Sequence, residues 1–175
     1  MLKKLELIAL FSLVLLAGGF RQAEWLKFKS TEENFTVSFP SEPRQEWTRV
    51  RGPFGNGHHI YKIENNGITY TVSNSVFEKA VTEPKDIKRT LDFARDLLLT
   101  LSTGKLLSDE DLSLDEFSGR QVRVEKGKKV WTLRAYVVRE RMYQLMTTEP
   151  KGNEQSPEAA KFFESFKLLT RPQQA

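Results

Sequence analysis

Between Gly119 and Thr148 the chain alternates apolar and polar residues more persistently than anywhere else, reading GRQVRVEKGKKVWTLRAYVVRERMYQLMTT. A period of two sends successive side chains to opposite faces of a strand, so the stretch predicts three antiparallel strands in a meander. In the middle strand Trp131, Leu133, Ala135 and Val137 share one face, and Val130, Thr132, Arg134, Tyr136 and Val138 share the other. The following strand sets Tyr143 and Leu145 on one side and Met142 and Met146 on the other. Apolar side chains on both faces call for cover on both, which points to a sheet between two layers. Lys126-Gly127-Lys128 makes one connection of the meander; Arg139-Glu140-Arg141 lacks Gly or Asn, so a longer loop or a bulge is expected there.

The flanking segments supply more strands and the cover. Residues 24–29 and 34–40 read as two short strands, the second with Phe35, Val37 and Phe39 on one face, ending at Pro40. A polar strand over 44–51 reads as a sheet edge and runs into the loop Gly52-Pro-Phe-Gly-Asn-Gly57. Residues 59–64 and 68–77 flank Asn65-Asn66-Gly67, where Asn-Gly supplies the positive φ angles of a tight type I′ turn. In the second of these strands Ile68, Tyr70 and Val72 face inward, with Val76 a further candidate. From Pro84 to Ser102 the period becomes helical: Ile87, Leu91, Ala94, Leu98 and Leu101 fall on one face, and Gly104 stands where a C′ residue commonly sits. The acidic run from Ser108 to Glu116 reads as a solvated connection. Ser156-Pro157-Glu158 opens a second helix, over 157–167, with Ala159, Phe162, Phe163 and Phe166 inward.

Composition excludes several chemistries. The chain has no cysteine, which removes thiol catalysis, Cys-ligated zinc and iron–sulfur clusters. Its two histidines, His58 and His59, are adjacent, and neighbours in a strand point to opposite faces, so the pair is a poor shared metal site. No GxSxG elbow presents a serine, and the Gly-rich loop lacks the GxxxxGK[ST] phosphate cradle. The acidic run fails as an EF-hand: the turn glycine is missing and Arg120 holds the place of the bidentate glutamate. A net charge of +4, spread over a chain that is 29% charged with both signs interspersed, gives no nucleic-acid footprint. No cofactor and no metal are expected.

At the amino terminus Lys3 and Lys4 precede Leu7–Phe20, a run of 14 residues without charge, closed by Ala17-Gly18-Gly19. The run is shorter than the ~18 apolar residues of a spanning helix and matches the basic, apolar and small-residue regions of a secretory signal. The expected organisation is therefore a signal peptide over 1–19, one α/β domain over 20–170 and a flexible tail over 171–175. The alternative, an uncleaved anchor or a buried first helix, would leave this segment as the only membrane contact.

The order Trp25…Phe35-Thr-Val-Ser-Phe-Pro40, hairpins, long helix, Gly119-Arg120…Arg134-Ala-Tyr-Val-Val…Arg141-Met-Tyr-Gln-Leu145 and Phe162-Phe-Glu-Ser-Phe-Lys-Leu168 resembles secreted bacterial proteins of the PsbP/DcrB/Mog-like superfamily. The resemblance covers residues 25–169 and rests on structural motifs. It implies an α+β fold, an antiparallel sheet flanked by helices on both faces in an α/β/α sandwich, and it transfers no catalytic residue. Members serve as photosystem accessory subunits, import-factor partners or envelope proteins, and fold alone does not choose among such roles. Joined to the missing catalytic motifs, the resemblance leads to an expected periplasmic or secreted accessory module that binds a protein or envelope partner. Phe54 in its Gly-rich loop and Arg139 and Arg141 at the meander turn are the candidate contacts, being residue types enriched at interface anchors. The rival class is an extracytoplasmic hydrolase with an unrecognised site near the Gly52–Gly57 loop.

Overall fold

The alternating stretch does form the middle of the molecule, and its pairing organises the rest. A computed structural model describes residues 24–48 and 58–169. In chain order it has β1 (Leu26–Ser30), β2 (Phe35–Phe39), β3 (Arg44–Thr48), β4 (His58–Asn65), β5 (Ile68–Val76), α1 (Pro84–Ser102), β6 (Lys105–Leu114), β7 (Phe117–Lys126), β8 (Lys129–Val138), β9 (Arg141–Pro150), α2 (Pro157–Glu164) and β10 (Lys167–Leu168). Seven strands make one antiparallel sheet in the order β3-β4-β5-β9-β8-β7-β6, and β1-β2-β10 make a second of three. The expected signal peptide, the Gly52–Gly57 loop with Phe54, and the tail all lie outside the described residues. No helix among the described residues is long and apolar enough to cross a membrane.

Each face of the large sheet carries its own core. Leu133, Ala135 and Val137 of β8, Val122 and Val124 of β7 and Met142 of β9 bury against Leu91, Ala94 and Leu98 of α1. On the opposite face Tyr136, Tyr143, Leu145, Tyr70 and Val72 meet Phe35, Val37 and Phe39 of β2 together with Ala159, Phe162 and Phe163 of α2. This second core is largely aromatic, with Tyr70 and Phe162 edge-on at 5.3 Å and Tyr136 stacked on Phe166 at 6.2 Å. Of the expected architecture, the antiparallel sheet and two helices are present. The second cover is shared between the small sheet and the short α2, because β2 alternates too completely (Phe35, Val37, Phe39) to sit anywhere but on a buried face.

Local signals explain most boundaries. Asn66 and Gly67 take φ 50° and 77°, the left-handed pair of a two-residue hairpin, and fix the register Asn65↔Ile68. The Ser156 hydroxyl accepts from Ala159 N at 3.2 Å, with Pro157 next, which starts α2 as read. That helix stops at Glu164, short of residue 167.

Six expectations are corrected. The acidic run is not a connection: it lies within β6 and its turn to β7, β6 forming an edge strand whose exposed side tolerates acids. The Arg139-Glu140 link is neither a longer loop nor a bulge, since Val138 pairs directly with Arg141. Leu101 (68% exposed) and Val76 (43%) face outward, and Trp131 is only half-buried at the rim of the α1 core. The left-handed C-terminal residue of α1 is Thr103, at φ 50°, and its N–H donates to Leu99 O. Gly104 is required for a different reason, because a Cβ there would lie 2.5 Å from Val124 Cγ1 and 2.7 Å from Glu125 O.

Candidate functional site

Antiparallel pairing sets Arg139 and Arg141 at one end of the large sheet. Thr48 pairs with His58, His58 with Ser75, Ser75 with Met142 and Met142 with Val137. Of the strands that flank residues 49–57, β4 therefore begins two strands away from β9 and β3 ends three away, roughly 10 and 14 Å across the sheet. Arg139 and Arg141 stand at the β8–β9 turn of that same end. The structure places these two together, while Phe54 lies outside the described residues.

The turn is held by the rest of the protein. Arg139 takes φ 55°, a conformation disfavoured for a residue with a Cβ. Val81 N donates to Arg139 O at 2.9 Å and Phe77 N donates to Glu140 O at 2.8 Å, so the segment between β5 and α1 clamps both turn carbonyls. Arg139 itself is exposed. Arg141 is half-buried and reaches the other way, its Nη2 donating to Glu32 O of the β1–β2 turn at 3.3 Å. Beside the clamp opens a cleft of about 380 Å³, lined by Phe77, Val81, Glu83, Asp86, Arg89 and Phe93 among others.

Under the β1–β2 turn sits a buried polar group that the sequence reading did not assemble. Glu33 is 3% exposed; one carboxylate oxygen meets His59 Nδ1, and the other is buried without a hydrogen bond. Tyr143 Oη donates to Glu33 O at 2.7 Å, and Glu33 N donates to Ser30 Oγ at 3.2 Å. Asn74, the cross-strand neighbour of both His59 and Tyr143, has a buried Oδ1 without a hydrogen bond. Burial pushes the Tyr61 hydroxyl up to about 12, opposed by its hydrogen bond to Ser30 and assisted by the charge of Glu33, so it stays protonated at neutral pH. A carboxylate against an imidazole is the orienting half of an acid–base site. Among the described residues no three His, Cys, Asp or Glu side chains are grouped to hold a metal ion.

Two further charged clusters are architectural. Arg120 of β7, nearly buried, contacts Asp92 of α1 and lies 3.4 Å from both Asp109 and Asp111 of β6; Arg95 of α1 adds a contact to Asp109 at 3.2 Å. Burial opposes the Arg120 charge, and the three carboxylates outweigh it and strengthen its hold on the proton. Glu149, 1% exposed, accepts from Thr147 Oγ1, Gln155 N, Ser156 N and Ser156 Oγ, fastening the start of α2 to β9. The Asp109/Asp111 spacing marks one strand face in sequence, yet only the β6–β7 register sets Arg120 opposite Asp111.

No protein-family model and no curated protein matches the chain. Solved structures do. The chain is similar to cyanobacterial PsbP (CyanoP) from Synechocystis sp. PCC 6803, with a TM-score of 0.61 and 11% identity, covering 86% of this chain and 96% of that one. It is also similar to a protein from Bacteroides thetaiotaomicron VPI-5482, with a TM-score of 0.51 and 15% identity over 83% of this chain and about half (48%) of that one. At such identities the likeness establishes the fold, which is PsbP-like.

Proposed function

We propose that this PsbP-like domain is an extracytoplasmic accessory or binding module, without catalytic activity, that docks a protein partner or envelope component at its Arg139 end. The carrying observation is the clamped turn: an exposed arginine, in a turn whose Arg139 and Glu140 carbonyls each accept a backbone hydrogen bond from the segment between β5 and α1, stands beside the 380 Å³ cleft with its partly apolar lining. A contact residue held in place before binding loses less conformational freedom on association. β3 ends and β4 begins at the same end of the sheet, and Arg141 braces the β1–β2 turn. Export follows from the basic, apolar and small-residue pattern of residues 1–19. The shared cover of the second face is read as a variation on the α/β/α sandwich.

A pull-down from the native envelope tests the reading. Wild type should capture a defined partner that Arg139→Ala loses and that Phe54→Ala/Arg139→Ala/Arg141→Ala loses more completely. Identical capture by all three chains would remove this end from consideration. A second reading, hydrolysis near the Gly52–Gly57 loop, is favoured by one observation, the Glu33–His59 pair at the start of β4. Hydrolase substrates turned over by wild type and not by the His58→Ala/His59→Ala variant would establish it in place of the first.

A further inference from the structure

The opposite end of the sheet has a distinct surface. There β7 ends, β8 and β6 begin, β9 ends and α1 terminates. Leu101, Leu106 and Leu107 flank the single connection from α1 into β6, and they are 68%, 41% and 38% exposed; Leu97, one helical turn before Leu101, is also exposed. Leu107 sits at a register shift in the β6–β7 pairing, where the strand bulges. Around these leucines stand Lys105, Lys126, Lys128 and Lys129, all exposed, with Lys126 and Lys129 directly paired across the β7–β8 turn. Of the acids near them, Glu125 accepts from Lys151 Nζ at 2.7 Å, Glu154 takes Gly152 N and Asp109 is held by Arg95 and Arg120, while Glu110 stands exposed further along β6. Glu64 lies at this end too, but on β4, on the far side of β5 and β9.

We infer that this end is an interfacial docking surface for an anionic lipid bilayer, the leucines entering the headgroup boundary and the lysines meeting lipid phosphates. The charge pattern chooses the occupant. Exposed aliphatic side chains ringed by lysines fit a surface that is negative outside and apolar just beneath. A second copy seated on the same surface would set lysine against lysine, and a nucleic acid would call for exposed stacking aromatics where the exposed apolar side chains are leucines. The inference is independent of the Arg139 reading. Together they would hold the molecule on a membrane with its Arg139 end directed away.

The chain has no cysteine, so one introduced thiol labels one site. The full chain carrying Leu107→Cys, and separately Glu116→Cys at the opposite end, is labelled with an environment-sensitive fluorophore. Each is titrated with phosphatidylcholine vesicles with and without phosphatidylglycerol. The expected result is a blue shift, quenched by a lipid-borne quencher, at residue 107 only with phosphatidylglycerol, weakened by salt, and no shift at residue 116. Any tethering by the apolar Leu7–Phe20 run is common to both labelled chains, so the difference between them reads the surface itself. Adding Lys126→Gln/Lys128→Gln/Lys129→Gln should raise the lipid concentration at half-shift about a hundredfold, from roughly 1 kcal/mol per lysine. A thermal melt matching the parent shows that each labelled chain is folded, and Leu101→Cys serves as a second position if Leu107→Cys melts early. No shift at residue 107 with phosphatidylglycerol, equal shifts at 107 and 116, an unchanged half-shift in the lysine variant, or a shift produced by nucleic acid and not by vesicles would each overturn the inference.

Discussion

Glu149 shows how much a single side chain can fix. Its buried carboxylate accepts from two side-chain hydroxyls and two backbone N–H groups, three of these four donors lying on Gln155 and Ser156 at the entry to α2. Removing it strands those donors, and Glu149→Ala should lower stability by about 3 kcal/mol, read as the shift in urea midpoint. A loss no larger than a typical surface substitution would show that water replaces the carboxylate. The residue scale is also where sequence is least informative. Nothing near Glu149 in TTEPKGNEQS marks it as the one buried acid of the segment. Gly104 carries a local clue, its place after a helix, but that clue points to a turn conformation that Thr103 in fact supplies.

The helix α1 has two stripes, and they separate cleanly in energy. Leu98 is buried against the sheet while Leu101 is mostly exposed. Leu98→Ala should cost about 2–5 kcal/mol, and Leu101→Ala should stay within about 0.5 kcal/mol, both from urea unfolding. Equal costs would mean that α1 is rotated on the sheet. The reading of Leu101 as inward failed because two apolar stripes overlap: Leu97 and Leu101 continue from Phe93, and period alone does not say which stripe meets the core. The same helix is tied to β7 through Asp92 and to β6 through Arg95. Lys88, and after it Arg120, hold the Asp92 carboxyl below the ordinary carboxylate value. A carboxyl lowered in the folded state stabilises fully above its unfolded pKa, and that contribution is lost as pH falls through the lower folded value. Acid unfolding followed by tryptophan fluorescence should therefore show an Asp92-dependent loss below about pH 4, absent in Asp92→Asn. Equal acid slopes in the two chains would remove Asp92 from the transition.

At the scale of the molecule, the large sheet divides two cores and has two unlike ends. The proposed export has its own measurement: intact mass of protein recovered from outside the cytoplasm should correspond to a chain starting near Phe20. Retention of Met1 would favour an uncleaved anchor, and the apolar run would then share the membrane with the Leu101–Leu107 surface.

What the sequence determined by itself is the local repertoire. The meander, the Asn-Gly hairpin, the bounds of α1 and the Ser156 cap are written in neighbouring residues, because strand and helix periods and turn conformations depend on contacts only a few positions apart. It also determined that both faces of the meander need cover. The tertiary structure alone decided what lies opposite what. Asp109 and Asp111 make a strand of an acidic run because Arg120 and Arg95 face them, and Arg139 turns without glycine because Phe77 and Val81 donate to the turn. Glu33 meets His59, 26 positions on, only once β1 and β2 fold over the sheet. Such pairings join residues whose separation has no period, so they come into being with the register.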